Sequence, residues 1–403
     1  MKKKIKVVWL CQFINSDFIQ KFGKHQNYQE VAPWINNLIK IFENKRDIEL
    51  HIVAPNRFNR KEICFNGNNI SYHIYPPRKL LPARIWRIFR IPEITNFITI
   101  KRKVKKIINE INPDIIHLHG AENPYYSSAI IPFLKDRYKV LVTIQGFVSL
   151  DSQNGNDLHM RKRKQIEKEI LRKAKNFGVS IKDSCYVLQK FNKNPVFYWH
   201  NYPMTKPDVN ISENSIPQEY DCVIFGRVSP ENGIEDLLKA ISIVKKTKKD
   251  ITLLVVGGFK NNDYRLKLLD ICKDLDISDS VIFKGFLQSQ QDAFKEIVKA
   301  KIDVLLTYYD IIPGTIIECM SLGVPVISYA VGGIPELNDE RESLILINKG
   351  DFKTVALKII ELLNNETYRS LLLSNAKITV SKYFDNEKIY IDLFNIYKEL
   401  NEK

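Results

Sequence analysis

A glycine, an arginine and an asparagine lie close together in the segment 226–233, which reads GRVSPENG. A glycine at the end of a strand lets a ligand approach the backbone, and the N-terminus of a following helix attracts phosphate through its free N–H groups. The guanidinium of Arg227 is a planar cation that suits a diphosphate. The segment predicts a phosphate-binding turn that includes Gly226 and Asn232. An ordinary turn with a surface arginine explains the pattern equally well.

A second candidate cluster lies at 310–318, which reads DIIPGTIIE. The proline suits the start of a helix, so the N–H groups of Gly314 and Thr315 are expected to be free to bind phosphate. Glu318 follows about one turn later, where a carboxylate can accept hydrogen bonds from the vicinal hydroxyls of a ribose. Asp310 precedes the helix and can reach sugar hydroxyls. The alternative is that Glu318 complements the helix dipole and Asp310 is a turn residue.

Two of the seven histidines lie in the segment 113–120 of the N-terminal half, which reads PDIIHLHG. His119 falls at the carboxyl end of a predicted strand, the end at which ligands bind in open α/β sheets. A histidine there can share a hydrogen bond or a proton with a departing phosphate. A histidine that is satisfied by the backbone is the alternative, and it is the better interpretation for His117.

The elements that must position these residues are strands that alternate with helices. Short runs rich in Ile and Val predict strands at 5–10, 50–54, 114–118, 139–143, 221–225, 251–256, 281–284, 304–306 and 324–328. Apolar residues at three- and four-residue spacing predict helices between them, for example at 31–42 and 161–175. This alternation indicates βαβ units. The predicted fold class is α/β, with two Rossmann-like domains that face a central cleft.

The domain boundary is predicted in the stretch 201–217, which has three prolines and little apolar content. We therefore expect an N-terminal domain at 1–205, a C-terminal domain at 218–385 and a final helical segment at 386–403. The N-terminus has only a short apolar stretch, and the chain has no apolar run of 18 residues. These features predict a cytoplasmic protein. Its six scattered cysteines are expected to be reduced.

The basic charge is concentrated in the N-terminal half. Residues 1–200 hold 36 Lys/Arg and 16 Asp/Glu, whereas residues 201–403 hold 25 and 30. In the stretch 78–106, Trp86 and Phe89 stand among arginines, a pattern that suits contact with an anionic membrane surface. Solvated lysines and a helix that buries both aromatic residues are the alternatives. No nucleic-acid recognition motif occurs, so we expect no nucleic-acid partner.

Two segments resemble a known family. PGTIIECMSLGVPVISYAVGGIPEL, at 313–337, resembles the C-terminal signature of glycosyltransferase family 4, whose members are retaining enzymes with the GT-B fold. GRVSPENGIEDLLKAI, at 226–241, resembles the diphosphate-binding segment of the same family. The resemblance implies a nucleotide-sugar donor, no requirement for a metal and a last helix that crosses back to the first domain. It also implies that the N-terminal domain binds the acceptor and the C-terminal domain binds the donor.

The resemblance also implies roles for individual residues. Arg227 would bind the donor diphosphate, Glu318 the ribose and Asp310 the sugar ring. The implied catalytic residues are His119, Arg227, Asp310 and Glu318, and the implied donor-binding residues are Gly226, Arg227, Asn232, Gly314, Thr315 and Glu318. Two positions depart from the family pattern, because Asp310 stands where a glutamate is usual and Asn232 stands where a lysine is usual.

The sequence as a whole predicts a retaining glycosyltransferase that moves a sugar from a nucleotide sugar to a glycan or lipid-linked acceptor. The setting expected from analogy is the synthesis of bacterial surface polysaccharide or glycolipid. A catalytically silent GT-B partner subunit is one alternative, because it would explain Asn232 and Asp310. Another GT-B enzyme, such as a sugar-nucleotide epimerase, is the other.

Overall fold

The computed structural model describes residues 4–14, 18, 32–56, 62–77, 90–135, 138–150, 157–208 and 217–403. The chain divides into two compact units. The first unit consists of Met1–Pro203 and Asn386–Lys403, and the second consists of Met204–Asp385. Each unit is built around one sheet with helices, which confirms the prediction of two α/β domains.

The sheet of the first unit has eight strands in the order β3-β4-β2-β1-β5-β6-β7-β8. The strands are β1 (Ile5–Leu10), β2 (Ile48–Pro55), β3 (Ile63–Asn66), β4 (Ile70–Tyr75), β5 (Ile115–His119), β6 (Lys139–Thr143), β7 (Asn176–Val179) and β8 (Val196–Trp199). All neighbouring strands are parallel except β3 and β4. All five residues of β5 are buried, as expected for a central strand covered on both faces.

The helices of the first unit include one from the end of the chain. They are α1 (Pro33–Glu43), α2 (Ile91–Ile94), α3 (Ile98–Ile111), α4 (Pro124–Ser127), α5 (Leu158–Lys173), α6 (Lys182–Phe191) and α13 (Asn386–Glu402). Helix α13 packs against α1, β1 and β5 through residues at three- and four-residue spacing, among them Leu393, Tyr397 and Leu400. The first core therefore includes residues from both ends of the chain.

The second unit has a six-stranded parallel sheet in the order β11-β10-β9-β12-β13-β14. Its strands are β9 (Tyr220–Phe225), β10 (Leu253–Val256), β11 (Val281–Gly285), β12 (Ala300–Leu305), β13 (Val326–Tyr329) and β14 (Ile345–Ile347). Its helices are α7 (Ile234–Lys245), α8 (Asn262–Asp274), α9 (Gln290–Ile297), α10 (Gly314–Ser321), α11 (Phe352–Asn364) and α12 (Glu366–Tyr383). The carboxyl ends of β9 and β12 lead into the two clusters predicted to bind a ligand.

Several elements differ from the sequence-based expectations. Five strands were not predicted, namely β3, β4, β7, β8 and β14, and each has no more than six residues. The helix predicted at 161–175 spans Leu158–Lys173 instead, because Asp157 caps it by accepting a hydrogen bond from the N–H of Met160. None of the helices in the described ranges is long and apolar enough to span a bilayer.

Candidate functional site

The turn after β9 is held by the turn after β10 through backbone contacts. Gly226 and Gly257 both have φ of 149°, a region that favours glycine. A Cβ atom on Gly257 would lie 1.7 Å from the carbonyl oxygen of Gly226. Val228 N–H donates to the carbonyl of Gly258, and Lys260 N–H donates to the carbonyl of Val228, both at 2.9 Å. The backbone around Arg227 is therefore fixed from both sides.

Arg227 is exposed, and Asn232 supports the backbone that carries it. The Asn232 Nδ2 atom donates to the carbonyl oxygen of Arg227 at 2.8 Å. Asn232 ends the short 3-10 segment Pro230–Asn232, and Gly233 then leads into α7. The side chain predicted to face a phosphate is thus already used to close the turn.

Lys260 is a second cation at this turn, and the sequence analysis did not identify it. Its ammonium lies 2.9 Å from a carboxylate oxygen of Glu231. Burial alone would raise the pKa of Glu231, but the hydrogen bond from Lys260 and the backbone lower it to about 2. The sequence signal for Lys260 is its position two residues after the turn VVGG at 255–258.

The two predicted phosphate-binding segments converge in the second unit. Helix α10 begins at Gly314, directly after Pro313, as expected for a proline at a helix start. A Cβ atom built on Gly226 would lie 3.8 Å from Asn232 Nδ2 and 4.0 Å from Thr315 Cγ2. Gly314 is exposed. The N-terminus of α10 therefore lies beside the Arg227 turn, and its free N–H groups are available to a ligand.

Glu318 is buried in α10 and is held by two residues that the sequence analysis missed. Its Oε1 atom accepts a hydrogen bond from Gln290 Nε2 at 2.5 Å. The Thr205 hydroxyl donates to Gln290 Oε1 at 2.7 Å. Burial raises the pKa of Glu318 to about 8, although hydrogen bonds from the Thr205 backbone and from Gln290 lower it in part. The carboxyl is therefore largely protonated at neutral pH.

Asp310 lies in the loop between β12 and α10 and is half-buried. Burial raises the pKa of its carboxyl to about 6, against the lowering effect of the Ile311 backbone. Its carbonyl oxygen lies 1.7 Å from the point where a Cβ atom on Gly332 would stand. Gly333 N–H donates to the Ile311 carbonyl at 2.8 Å. The pair of glycines at 332–333 thus fixes the loop that carries Asp310.

His119 lies in the first unit, at the carboxyl end of β5. Its ring is buried and packs against the ring of His117 at an interplanar angle of 34°, with the two centroids 3.8 Å apart. His119 Nδ1 lies 2.8 Å from the hydroxyl of Tyr202, while Nε2 has no hydrogen-bond partner within the described ranges. Burial lowers the pKa of His119 well below its usual value, and the charge of His200 lowers it further. His119 is therefore neutral at pH 7.

His117 is satisfied by side chains, whereas the sequence analysis favoured a backbone partner for it. Its Nδ1 atom lies 2.7 Å from the hydroxyl of Tyr397, and its Nε2 atom lies 2.7 Å from Thr143 Oγ1. Thr143 Oγ1 is also 2.8 Å from His200 Nε2. No sequence pattern joins these residues, because Tyr397 lies 280 positions after His117.

The predicted residues thus fall into two groups. Gly226, Arg227, Asn232, Asp310, Gly314, Thr315 and Glu318 belong to the second unit, at the loops that follow β9 and β12. His119 belongs to the first unit. Trp86 and Phe89 lie outside the described residues.

Family models match both units. The model described as glycosyl transferases group 1 matches residues 208–379. The model described as glycosyl transferase 4-like matches residues 44–179. The two matches do not overlap, and together they include all the site residues that were predicted from the sequence.

Individual relatives are distant in sequence. The chain is 24% identical over 376 residues to the N-acetyl-alpha-D-glucosaminyl L-malate synthase of Bacillus anthracis, a match that covers 88% of this chain and 90% of the relative. It is 25% identical over 177 residues to the capsular polysaccharide biosynthesis glycosyltransferase CapM of Staphylococcus aureus, or 43% of this chain and 44% of that protein.

Solved structures share the fold over almost the whole chain. Sucrose-phosphate synthase from Thermosynechococcus elongatus superposes with a TM-score of 0.76 at 17% identity, covering 98% of this chain and 99% of that one. The Anabaena protein HepE, solved in complex with UDP, superposes with a TM-score of 0.69 at 14% identity and covers 98% and 100%. At these identities the likeness concerns the fold alone.

Proposed function

We propose that this chain, which is a glycosyltransferase with the GT-B fold and carries a 4-like and a group 1 domain, moves a sugar from a nucleoside-diphosphate sugar to a glycan or lipid-linked acceptor. The convergence in the second unit carries the proposal. There the Arg227 turn and the N-terminus of α10 come together at Gly226, where an added Cβ atom would lie 4.0 Å from Thr315 Cγ2. A planar cation beside free N–H groups suits a diphosphate.

Each residue of the second unit has a defined task in this proposal. Arg227 and the N–H groups of Gly314 and Thr315 bind the diphosphate and stabilise the charge that develops on the leaving oxygen. Glu318 accepts hydrogen bonds from the ribose hydroxyls, for which its contact with Gln290 must exchange. Asp310 binds hydroxyls of the sugar ring. The HepE complexes with UDP and with UDP-glucose support a nucleotide sugar as the donor.

The proposed transfer retains the anomeric configuration and needs no metal. In a retaining transfer of this kind the acceptor attacks from the face that the diphosphate leaves. The cationic turn and the helix N-terminus neutralise the leaving group, a task that a metal ion performs in other sites. Two measurements test this pair of statements: the anomeric configuration of the product by NMR, and the turnover in the presence of a chelator. An inverted product or a chelator-sensitive rate would refute the corresponding statement.

The proposed setting is the synthesis of a surface polysaccharide or glycolipid. The relatives include glycosyltransferases named for capsular polysaccharide and for amylovoran biosynthesis. The direct experiment is a panel of UDP-, GDP- and ADP-sugars, each measured for thermal stabilisation and for donor hydrolysis. A ligand that binds the folded state raises its stability with the logarithm of its concentration relative to Kd.

A silent partner subunit is the second candidate, and two contacts favour it. Asn232 closes a turn at a position where the family pattern has a lysine. Gln290 already donates a hydrogen bond to the Glu318 carboxyl that would bind the ribose. Both candidates predict donor binding, so binding alone does not separate them. Hydrolysis of the donor by the purified chain distinguishes an enzyme from a silent subunit.

We also propose that the first unit contacts an anionic membrane surface through its helices α3 and α5. Lys101, Arg102 and Lys105 follow Ile98 at positions that place all four on one face of α3. Burial lowers the pKa of Lys101, and Glu169 on α5 raises it in part. The charges of Lys173 and Lys162, also on α5, lower this pKa further, so cations of the two helices lie near one another. We call Lys101, Arg102, Lys105, Lys162 and Lys173 the α3–α5 basic face.

Exposed apolar residues border this basic face. Ile94 is 67% exposed and Ile98 is 39% exposed. Apolar side chains beside lysines and arginines are the composition that binds the boundary between headgroups and acyl chains. The α3–α5 basic face therefore offers both contacts that a membrane surface requires.

A further inference from the structure

The hydrogen bonds around His117 have only one consistent direction. The indole N–H of Trp9 can only donate, so the Tyr397 oxygen accepts from it at 2.7 Å. The Thr143 hydroxyl donates to His200, as shown below, so its oxygen accepts from His117 Nε2–H, and the Tyr397 hydroxyl donates to the unprotonated His117 Nδ1. That Nε2–H donates to Thr143 Oγ1.

The same series of hydrogen bonds continues from Thr143 to a third histidine, His200. His200 Nδ1 lies 3.2 Å from the carbonyl of Asn201, which can only accept, so Nδ1 carries the His200 proton. His200 Nε2 is therefore an acceptor and receives the Thr143 hydroxyl proton. Burial lowers the pKa of His200 to about 4, so its ring is neutral at pH 7. Both rings are thus fixed as single tautomers.

His119 belongs to a separate branch that Tyr202 controls. Gln145 Nε2 donates to the Tyr202 oxygen at 2.9 Å. Two acceptors lie near the Tyr202 hydroxyl proton, namely His119 Nδ1 at 2.8 Å and Thr143 Oγ1. Thr143 Oγ1 already accepts from His117 Nε2–H, so we assign the Tyr202 proton to His119 Nδ1. A neutral imidazole carries one N–H, so the His119 proton is on Nε2.

The Nε2–H of His119 is the donor in this network that has no acceptor among the described residues. It is buried and has no partner among the residues that the structure describes. A buried donor without a partner is costly, and such groups are rare in stable proteins. Next to it, after the carboxyl end of β6, Gln145 and Gly146 are half-buried, and a Cβ atom on Gly146 would meet nothing within 4 Å.

We propose that Tyr202 is a positioning residue that holds His119 as its Nε2–H tautomer, so that His119 donates a hydrogen bond to an oxygen of the bound substrate. His119 then cannot act as a general base through Nε2, since that nitrogen already carries a proton. The inference rests on the proposed function, which supplies the oxygen-rich substrate. Among the three histidines, only His119 can donate to a substrate in this way, because both ring nitrogens of His117 and of His200 already have hydrogen-bond partners.

The test uses one set of variants in the full chain. Tyr202→Phe removes the hydroxyl that directs the tautomer. His119→Gln keeps an N–H donor whose protonation does not depend on Tyr202. The double variant joins both changes. Tyr198→Phe is the matched control, because the Tyr198 hydroxyl contacts Glu399 and Lys403 and no histidine.

The first measurement is the tautomer of His119 by long-range nitrogen-15 NMR, assigned from the signal that His119→Gln loses. We expect an Nε2–H ring in the wild-type chain and in Tyr198→Phe, and a mixture of tautomers in Tyr202→Phe. An Nδ1–H ring in the wild-type chain would overturn the proposal. This measurement needs no substrate, so it stands even if the chain transfers no sugar.

The second measurement is the hydrolysis of the nucleotide sugar that the donor panel selects. Tyr202→Phe should lower kcat/KM by about tenfold, the scale of one hydrogen bond, and Tyr198→Phe should not. In the His119→Gln background, the Tyr202 change should cost less than about threefold, because its target is gone. An equal loss in both backgrounds would refute the role of the tautomer. Hydrolysis of no sugar by any variant would refute the proposed function instead.

Discussion

Arg227 is exposed, and within the described ranges its side chain makes no hydrogen bond or ion pair. A guanidinium in this state is available for bidentate binding of a diphosphate. Arg227→Ala should raise the activation free energy by about 2–4 kcal/mol, the scale of losing a donor to a developing charge. Arg227→Lys should recover only part of the rate, because the planar fork is lost.

Single-turnover rates of these variants test the assignment. Arg341→Ala is a suitable control, since Arg341 pairs with Glu340 in the loop that precedes the amino end of β14. Its rate should stay close to that of the wild-type chain. If Arg227→Ala also turns over like the wild type, the diphosphate binds elsewhere.

Glu318 gives a residue-scale prediction that concerns the nucleoside. Glu318→Ala should weaken the binding of the free nucleoside diphosphate at neutral pH by about 0.5–1.5 kcal/mol, the scale of a hydrogen bond between uncharged groups, because the carboxyl is largely protonated. Calorimetry with the diphosphate of the selected donor measures this difference. Unchanged affinity would contradict the ribose contact.

The raised pKa of Glu318 also predicts a pH dependence of stability. The pKa is about 8 in the folded chain against a usual value of 4.5. The folded state therefore holds a proton that the unfolded state releases above pH 4.5, and this contribution to the free energy of unfolding is lost as the pH rises towards 8. Glu318→Gln has no such loss. The stability of Glu318→Gln relative to wild type in urea should increase from pH 5 to pH 9, and a constant difference would contradict the burial of an ionisable carboxyl.

At the scale of elements, the two turns of the second unit were predictable and the histidine network was not. Gly226, Arg227 and Gly314 follow strands directly, so local sequence indicated both their position and their chemistry. The contact between Tyr397 and His117 depends instead on how α13 packs against β5, which no local pattern encodes. The contacts of Thr205 and Gln290 with Glu318 were not predicted for the same reason, since these two residues come from separate segments of the chain.

The short strands were missed for a related physical reason. β3 alternates half-buried and exposed residues over only four positions, too few to distinguish a strand from a loop. β7 and β8 are equally short, and each includes a residue that is only half-buried. Their place in the sheet comes from pairing with β6 and with each other rather than from their own sequence.

Asn232 carries an element-scale prediction about the turn before α7. Asn232→Ala removes the hydrogen bond to the Arg227 carbonyl and should weaken binding of the nucleoside diphosphate by about 1 kcal/mol. Asn232→Lys loses the same bond but adds a cation beside a helix N-terminus. Its turnover should equal or exceed that of the wild type. A rate for Asn232→Lys as low as that for Asn232→Ala would show that the turn, not the charge, determines activity.

Helix α13 allows a matched comparison of two buried tyrosines. Tyr397→Phe leaves Trp9 Nε1 and His117 Nδ1 without their shared partner, which should lower the free energy of unfolding by about 1–3 kcal/mol. The Tyr390 hydroxyl is buried without a partner in the described part of the chain, so Tyr390→Phe should cost nothing or stabilise. Urea denaturation of both variants checks the difference. Equal losses would mean that the network contributes no stability.

At the scale of the whole molecule, the two halves of the chain differ in charge, and the fold shows where part of the basic excess lies. The excess of Lys and Arg in residues 1–200 includes the α3–α5 basic face of the first unit. Within the described residues, Lys101, Arg102 and Lys105 of this face form no ion pair, whereas its Lys173 pairs with Glu169, as Lys245 of the second unit does with Asp279. Unpaired surface charge attracts an anionic surface over about one Debye length, roughly 10 Å at 0.1 M salt. The charge difference therefore predicts an orientation on a membrane as well as an affinity for it.

Vesicle sedimentation tests this prediction with a variant of equal charge change as its control. The variant with Lys101→Glu, Arg102→Glu and Lys105→Glu should lose binding to vesicles that contain phosphatidylserine, at roughly 1 kcal/mol for each cation near the surface. The control changes three exposed lysines of the second unit, with Lys246→Glu, Lys249→Glu and Lys377→Glu. It has the same net charge and should still bind, because its substitutions belong to the second unit and leave the cations of α3 and α5 unchanged. Wild-type binding should increase with the anionic lipid fraction and decrease with salt. Equal losses in the two triple variants would reduce the effect to net charge, and equal partition of the wild type onto neutral vesicles would exclude an electrostatic contact.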